Sequence, residues 1–131
     1  MNQKIKEVRT KLMKGLLDLV VLQLLKAEPR HGYRIITDIR KTFGVYFGPS
    51  TIYPLLNVLE EKGYVKSRWD LENERPKKVY NLTAEGRNLL GCTETSLNNI
   101  CRKLGNIGLN EIFVNNHLHR PLCKTIKNPK V

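Results

Sequence analysis

Cysteine is scarce in this chain and does not point to cross-linking. The 131 residues hold Cys92, Cys101 and Cys123, an odd number with no Cys-x-x-Cys spacing. Cys92 and Cys101 stand nine residues apart, about 900° of helical rotation, which puts them on opposite faces of a helix. Reduced thiols are expected, with cytoplasmic localisation. Long apolar runs are also missing. The richest stretch, Leu16 to Leu25, is ten residues and contains Asp18, far short of the roughly 20 that a membrane helix needs. The N-terminus has the basic-then-apolar order of a signal peptide, but "KAEP" offers no small-x-small cleavage site, so secretion is not expected. No Ser–His–Asp set, phosphate-cradling glycine loop or paired carboxylates can be assembled, so neither an enzyme nor a cofactor is expected.

Acidic residues are the other shortage. Twelve Asp and Glu face 23 Lys and Arg, leaving +11. Such an excess suits a polyanionic partner, nucleic acid foremost. It is concentrated at the ends. Residues 1–14 carry Lys4, Lys6, Arg9, Lys11 and Lys14 against Glu7, and residues 102–131 carry six basic groups against Glu111. The plainer meaning of these ends is a pair of solubilising tails.

What is present is helical rhythm with clear punctuation. From Val8 to Lys26, Leu and Val leave almost no polar face, as in a helix buried on most sides. Pro29 ends it. A second helix is expected over His31–Phe43, with Tyr33, Ile36, Ile39 and Phe43 on its apolar side, Arg34, Asp38 and Lys41 on its wet side, and Gly44 closing it. A third helix carries Ile52, Leu55, Leu56 and Leu59 in one stripe and stops at Gly63. With Ser50 as its N-cap, Pro54 falls at the edge of the first turn, where little hydrogen bonding is lost. "YVKSRWD" then alternates as a half-buried strand, with Val65, Ser67 and Trp69 on one side. "LENERP" breaks it, "KKVYNL" returns as a second strand, and Thr83 caps a last helix over Ala84–Leu104, ended by Gly105 and Gly108.

Three helices, two strands and a helix form the order of a winged helix-turn-helix, an α+β fold that is mostly α, here with a C-terminal dimerisation helix. In that arrangement the third helix presents its amino end to the DNA major groove and the hairpin touches neighbouring phosphates. Ser50, Thr51, Tyr53 and Asn57 occupy that amino end. Short hydroxyls bond phosphate or base edges, and an amide reads adenine through two bonds. Arg75, Lys77 and Lys78 cluster at the hairpin and suit phosphate contact. The plain alternatives are a cap for Ser50, core for Tyr53 and surface for Asn57. On the last helix Leu90, Thr93, Leu97, Ile100, Leu104 and Ile107 follow steps of three and four, a coiled-coil seam for a homodimer. Ile5, Val8 and Leu12 are expected to add to that dimer. The organisation read this way is 1–83 for DNA binding, 84–108 for dimerisation and 109–131 as a basic, partly mobile extension. His117, His119 and Cys123 lie near one another there, yet no metal is expected.

"HGYRI" (31–35), "STIYPLLNVLEEKGYV" (50–65) and "RPKKVYNLTAEG" (75–86), together with "KGLLDLVVLQLL", resemble the PadR family of transcriptional regulators over about 75 residues, Lys14 to Leu90. The resemblance implies a winged-helix homodimer binding a palindromic operator in double-stranded DNA, usually as a repressor, with a C-terminal dimerisation helix. Release by a small-molecule effector is often part of the pattern; here any effector is unidentified. His31 and Tyr33 belong to the "HGY" element, where they either reach a phosphate or, respectively, cap and pack. The alternative function is a winged-helix protein-interaction module without sequence-specific DNA binding.

Overall fold

A computed structural model describes residues 2–72 and 74–107. The expected extension at 109–131 and its His117, His119 and Cys123 lie outside the described residues. Helix α1 (Gln3–Ala27) begins earlier than its apolar run, because Asn2 caps it: the Asn2 side-chain oxygen accepts from the Lys4 N–H at 2.8 Å. Its two halves differ. Leu17, Val20, Val21, Leu22 and Leu25 are buried, whereas Ile5, Val8 and Leu12 are exposed, Leu12 by 62%. The expectation of burial on most sides therefore fails for the first half: hydrophobic residues continue beyond the part of the core that this unit supplies.

Strand β1 (Arg30–His31), not anticipated from the sequence, leads straight into α2 (Gly32–Phe43). His31 caps α2, and Gly44 closes it in the left-handed conformation at φ 73°. The buried face is Ile35, Ile36 and Ile39; Tyr33 is 66% exposed and does not pack. In the turn that follows, Val45 and Phe47 are buried and Tyr46 is out, which anchors the chain before α3 (Pro49–Glu61).

Gly48, not Ser50, is the N-cap of α3: the Thr51 and Ile52 N–H groups both donate to its carbonyl at 3.0 Å. Pro49 takes the first helical position, which suits its fixed φ and missing N–H. Two consequences follow. Ser50 is freed from capping, and Pro54 lies inside the helix, so the Ser50 carbonyl lacks the N–H it would otherwise receive. Ile52, Leu56 and Leu59 point inward. At the other end the Tyr64 N–H returns to the Leu59 carbonyl and Gly63, at φ 84°, returns to Glu60, the paired bonds that seal a helix end around a left-handed glycine.

Strands β2 (Val65–Asp70) and β3 (Lys77–Leu82) pair antiparallel, Val65 opposite Leu82 and Trp69 opposite Lys78; β1 pairs on the far side of β3, giving the order β1-β3-β2. Thr83 joins three pieces. Its hydroxyl donates to the Gly63 carbonyl at 2.7 Å and accepts from the Gly86 N–H at 3.0 Å, while its own N–H reaches Tyr64. Helix α4 (Ala84–Ile107) starts there and runs through Gly105, past its expected end at Leu104. The chain divides into two compact units, one through Arg87 and one from Asn88.

One buried charge organises the first unit. Arg30 is 9% exposed; its Nε donates to the Leu24 carbonyl at 3.0 Å and its guanidinium pairs with Asp38. Arg34 joins the same carboxylate at 3.4 Å and Glu28 at 2.7 Å. Asp38 is thus no wet-side residue, as the helical pattern implied. Replacing it by Ala strands the Arg30 charge and is expected to cost about 3 kcal/mol in equilibrium denaturation, whereas Lys41→Ala, at an exposed position, changes little.

Candidate nucleic-acid interface

The start of α2, the exposed side of α3 and the wing formed by β2 and β3 surround an open cleft of about 530 Å³. It brings together six residues singled out from sequence: His31 and Tyr33 from α2 and its cap, Tyr53 and Asn57 from α3, Lys77 and Lys78 from β3. Tyr53 and Asn57 are one turn apart and share a face. Ser50 and Thr51 are exposed on the first turn of α3 but do not line the cleft, and Arg75 is exposed at the wing tip, also outside it.

The wing's inner side is a ladder of cross-strand pairs. Val65 and Leu82 stand at the core end, then Ser67 opposite Tyr80, then Trp69 opposite Lys78. Trp69 follows the inward phase of its strand, yet is 60% exposed, because the last rung overhangs the packed body. The Lys78 ammonium lies 5.9 Å from the centre of the Trp69 ring and 6.0 Å from that of Tyr80. Contacts of this kind are worth about 0.5–1 kcal/mol each at exposed sites, enough to orient a lysine. Tyr80 is buried beneath, and that burial, with Glu60 and Tyr53 nearby, raises its phenol pKa above the usual value.

Glu60 locks wing to helix. Its carboxylate accepts from the Ser67 hydroxyl at 2.7 Å and from the Ser67 N–H at 3.0 Å. The hydroxyl bond above all, with the backbone bond and Lys78, lowers the Glu60 pKa against the opposing effect of burial. Trp69, Gly32 and Tyr80 were missed as cleft residues in the sequence. Alternation put Trp69 inward but could not say where the core ends, and Gly32 carries no side chain to attract notice. A second, neighbouring hollow of about 440 Å³ shares Tyr33 and adds Arg40, Tyr46 and Pro49.

His31 both lines the cleft and caps α2. Its Nδ1 accepts from the Arg34 N–H at 3.3 Å, which requires a neutral ring carrying its proton on Nε2. Partial burial, then Lys77 and Arg34, lower its pKa below 6.5, with Asp38 acting the other way.

On the part of α4 beyond Asn88 the expected seam is uneven. Leu90 is only 2% exposed, and the Thr93 hydroxyl donates to the Leu89 carbonyl at 2.8 Å. Leu97 is half-buried, while Ile100, Leu104 and Ile107 are exposed, the last by 79%. Among the described residues there is no cluster of metal ligands, and no helix is long and apolar enough to cross a membrane.

A helix-turn-helix with its second helix exposed at the start and a basic hairpin beside it is a winged helix-turn-helix, the form of a transcriptional regulator. The chain belongs to the transcriptional regulator PadR-like family, whose model matches residues 21–91. Among solved structures it resembles a PadR family transcriptional regulator from Eggerthella lenta, with a TM-score of 0.72 and 30% identity over 79% of this chain and 90% of that one. Bacillus subtilis PadR in complex with operator DNA matches with a TM-score of 0.53 and 29% identity, over 57% of this chain and 43% of that one. The transcriptional regulator YqjI of Escherichia coli is 39% identical over 74 residues, which is 55% of this chain but 34% of that protein.

The His31 cap makes stability depend on pH with a definite sign. A histidine whose folded pKa is depressed contributes fully above its unfolded value of 6.5, and that contribution disappears as pH falls through the folded value. His31→Asn keeps a capping acceptor without the titration. Its denaturation midpoint should therefore fall less than the wild type's across about pH 8 to 5.

Proposed function

We propose that this protein is a sequence-specific, homodimeric DNA-binding regulator of transcription, acting in the cytoplasm as a repressor at a palindromic operator. The observation that carries the proposal is the cleft between α3 and the wing. Hydroxyl and amide groups from the exposed side of α3 face lysines from β3 across it, the pairing of base-reading and phosphate-binding chemistry that duplex recognition needs. The operator-bound relative of the same family supports this reading. Ser50 and Thr51 support it too, since both are exposed at the start of α3 without capping it. A module that docked only proteins would carry apolar residues there.

Division of labour follows the same lines. The segment 1–83 contacts DNA, and the terminal helix joins two copies. Ile100, Leu104 and Ile107, together with Ile5, Val8 and Leu12, are exposed apolar side chains that pairing would cover. Leu90 is already out of solvent and has little to add. Two copies related by a two-fold axis read two half-sites, which is why a palindrome is expected. A small-molecule effector, if one acts here, is unidentified.

Gel shift with a random duplex pool over a salt series tests the function. Wild type should select a two-fold symmetric sequence, with affinity falling steeply as salt rises. Lys77→Ala with Lys78→Ala should weaken binding to all duplexes alike and reduce the salt slope by about two. Asn57→Ala should instead change base preference, by roughly 1–3 kcal/mol at single positions. Leu104→Glu should give monomers in sedimentation and lose operator binding; a stable dimer of that variant would remove the seam from the proposal.

A further inference from the structure

Gly32 has no conformational reason to be glycine. Among the described residues only Gly44 and Gly63 have positive φ, so the backbone at 32 accepts any ordinary side chain. It is the first residue of α2, where alanine is by propensity the better helix former. What a side chain would meet there is Tyr53. A Cβ built on Gly32 would stand 2.5 Å from Tyr53 Cε1, and 2.6 Å from both Cζ and the hydroxyl oxygen. The phenol of the recognition helix thus rests on bare backbone at the start of the neighbouring helix, with 37% of the residue left exposed.

The seat itself is fixed. His31 immediately before it pairs with Val79 and Arg30 with Tyr80 across β1 and β3, and Arg30 is held by Asp38 and by the Leu24 carbonyl. Any side chain added at 32 would therefore be accommodated by Tyr53, the freer partner. Tyr53 lines the cleft beside Asn57, one turn further along the same face.

We propose that Gly32 is a positioning residue for base selection: by lacking a Cβ it lets Tyr53 lie against α2, and this sets how Tyr53 and Asn57 meet the groove. The proposal rests on the DNA-binding function put forward above. Gly32 touches no base; it acts through Tyr53.

Four proteins test it: wild type, Gly32→Ala, Tyr53→Ala and the double variant. Each is assayed for duplex affinity and for base preference by selection from a random pool, with thermal denaturation as a check on folding. Gly32→Ala is expected to lose about tenfold in operator affinity and to shift base preference, while adding Gly32→Ala to Tyr53→Ala changes neither further. The double variant has no clash to resolve, so it reports on position 32 even where Gly32→Ala alone folds poorly. Equal losses from Gly32→Ala with and without Tyr53, or a Gly32→Ala protein that selects the wild-type sequence at wild-type affinity, would overturn the proposal. Wild type failing to bind any duplex would overturn the underlying function first, before any substitution is compared.

Discussion

The Arg30 guanidinium holds the cleft end of the first unit together. It sits almost out of solvent, takes the Leu24 carbonyl near the end of α1, and pairs with Asp38 in the middle of α2. Its own backbone lies in β1, opposite Tyr80 of the wing. One side chain and its peptide therefore tie two helices and a hairpin to a common point. Burying an ion pair seldom adds net stability relative to apolar residues of the same shape. Its value here is geometric. Apolar contacts among α1, α2 and α3 are non-directional and leave these elements some freedom to slide. The charged bonds have directions, and they fix where α2 begins. The seat of Tyr53 and the His31 cap are both set from that place.

The same economy governs the wing. A hairpin of two six-residue strands would be marginal alone. It is held at the base by Val65, Tyr80 and the Thr83 bonds, halfway along by Glu60 on Ser67, and near the tip by the contact of Lys78 with Trp69 and Tyr80. The contacts thus change outward, from packed side chains through a charged hydrogen bond to a cation over rings. The basic groups that suit a polyanion are at the outer end.

Much of this architecture was legible in the residues. The hairpin bounds, the Thr83 cap and the left-handed stops at Gly44 and Gly63 follow from local chemistry, and local chemistry is what a sequence shows most directly. Six of the nine residues proposed for DNA contact meet in one cleft, because the elements that carry them were placed by local signals. Failures came where a distant partner decides. Tyr33 fits the apolar stripe of α2 by spacing, but the core does not extend to it. Asp38 looks solvated until Arg30, eight residues away and on another element, is brought beneath it. Ser50 is a better capping residue than Gly48 by type, yet Pro49 is best placed at the first helical position and moves the start two residues earlier. Gly32 could not be understood before Tyr53 was seen against it.

The bond from Glu60 to the Ser67 N–H has one more effect. In the order β1-β3-β2, β2 is an outer strand whose free side could serve as a template for a strand from another molecule. Glu60 occupies the Ser67 donor on that side, and Lys66 and Arg68 beside it are charged and exposed. The opposite margin, β1, is two residues long. Among the described residues both borders of the sheet are therefore poor templates, so when many copies crowd together, non-specific cross-chain β-pairing through this sheet is disfavoured.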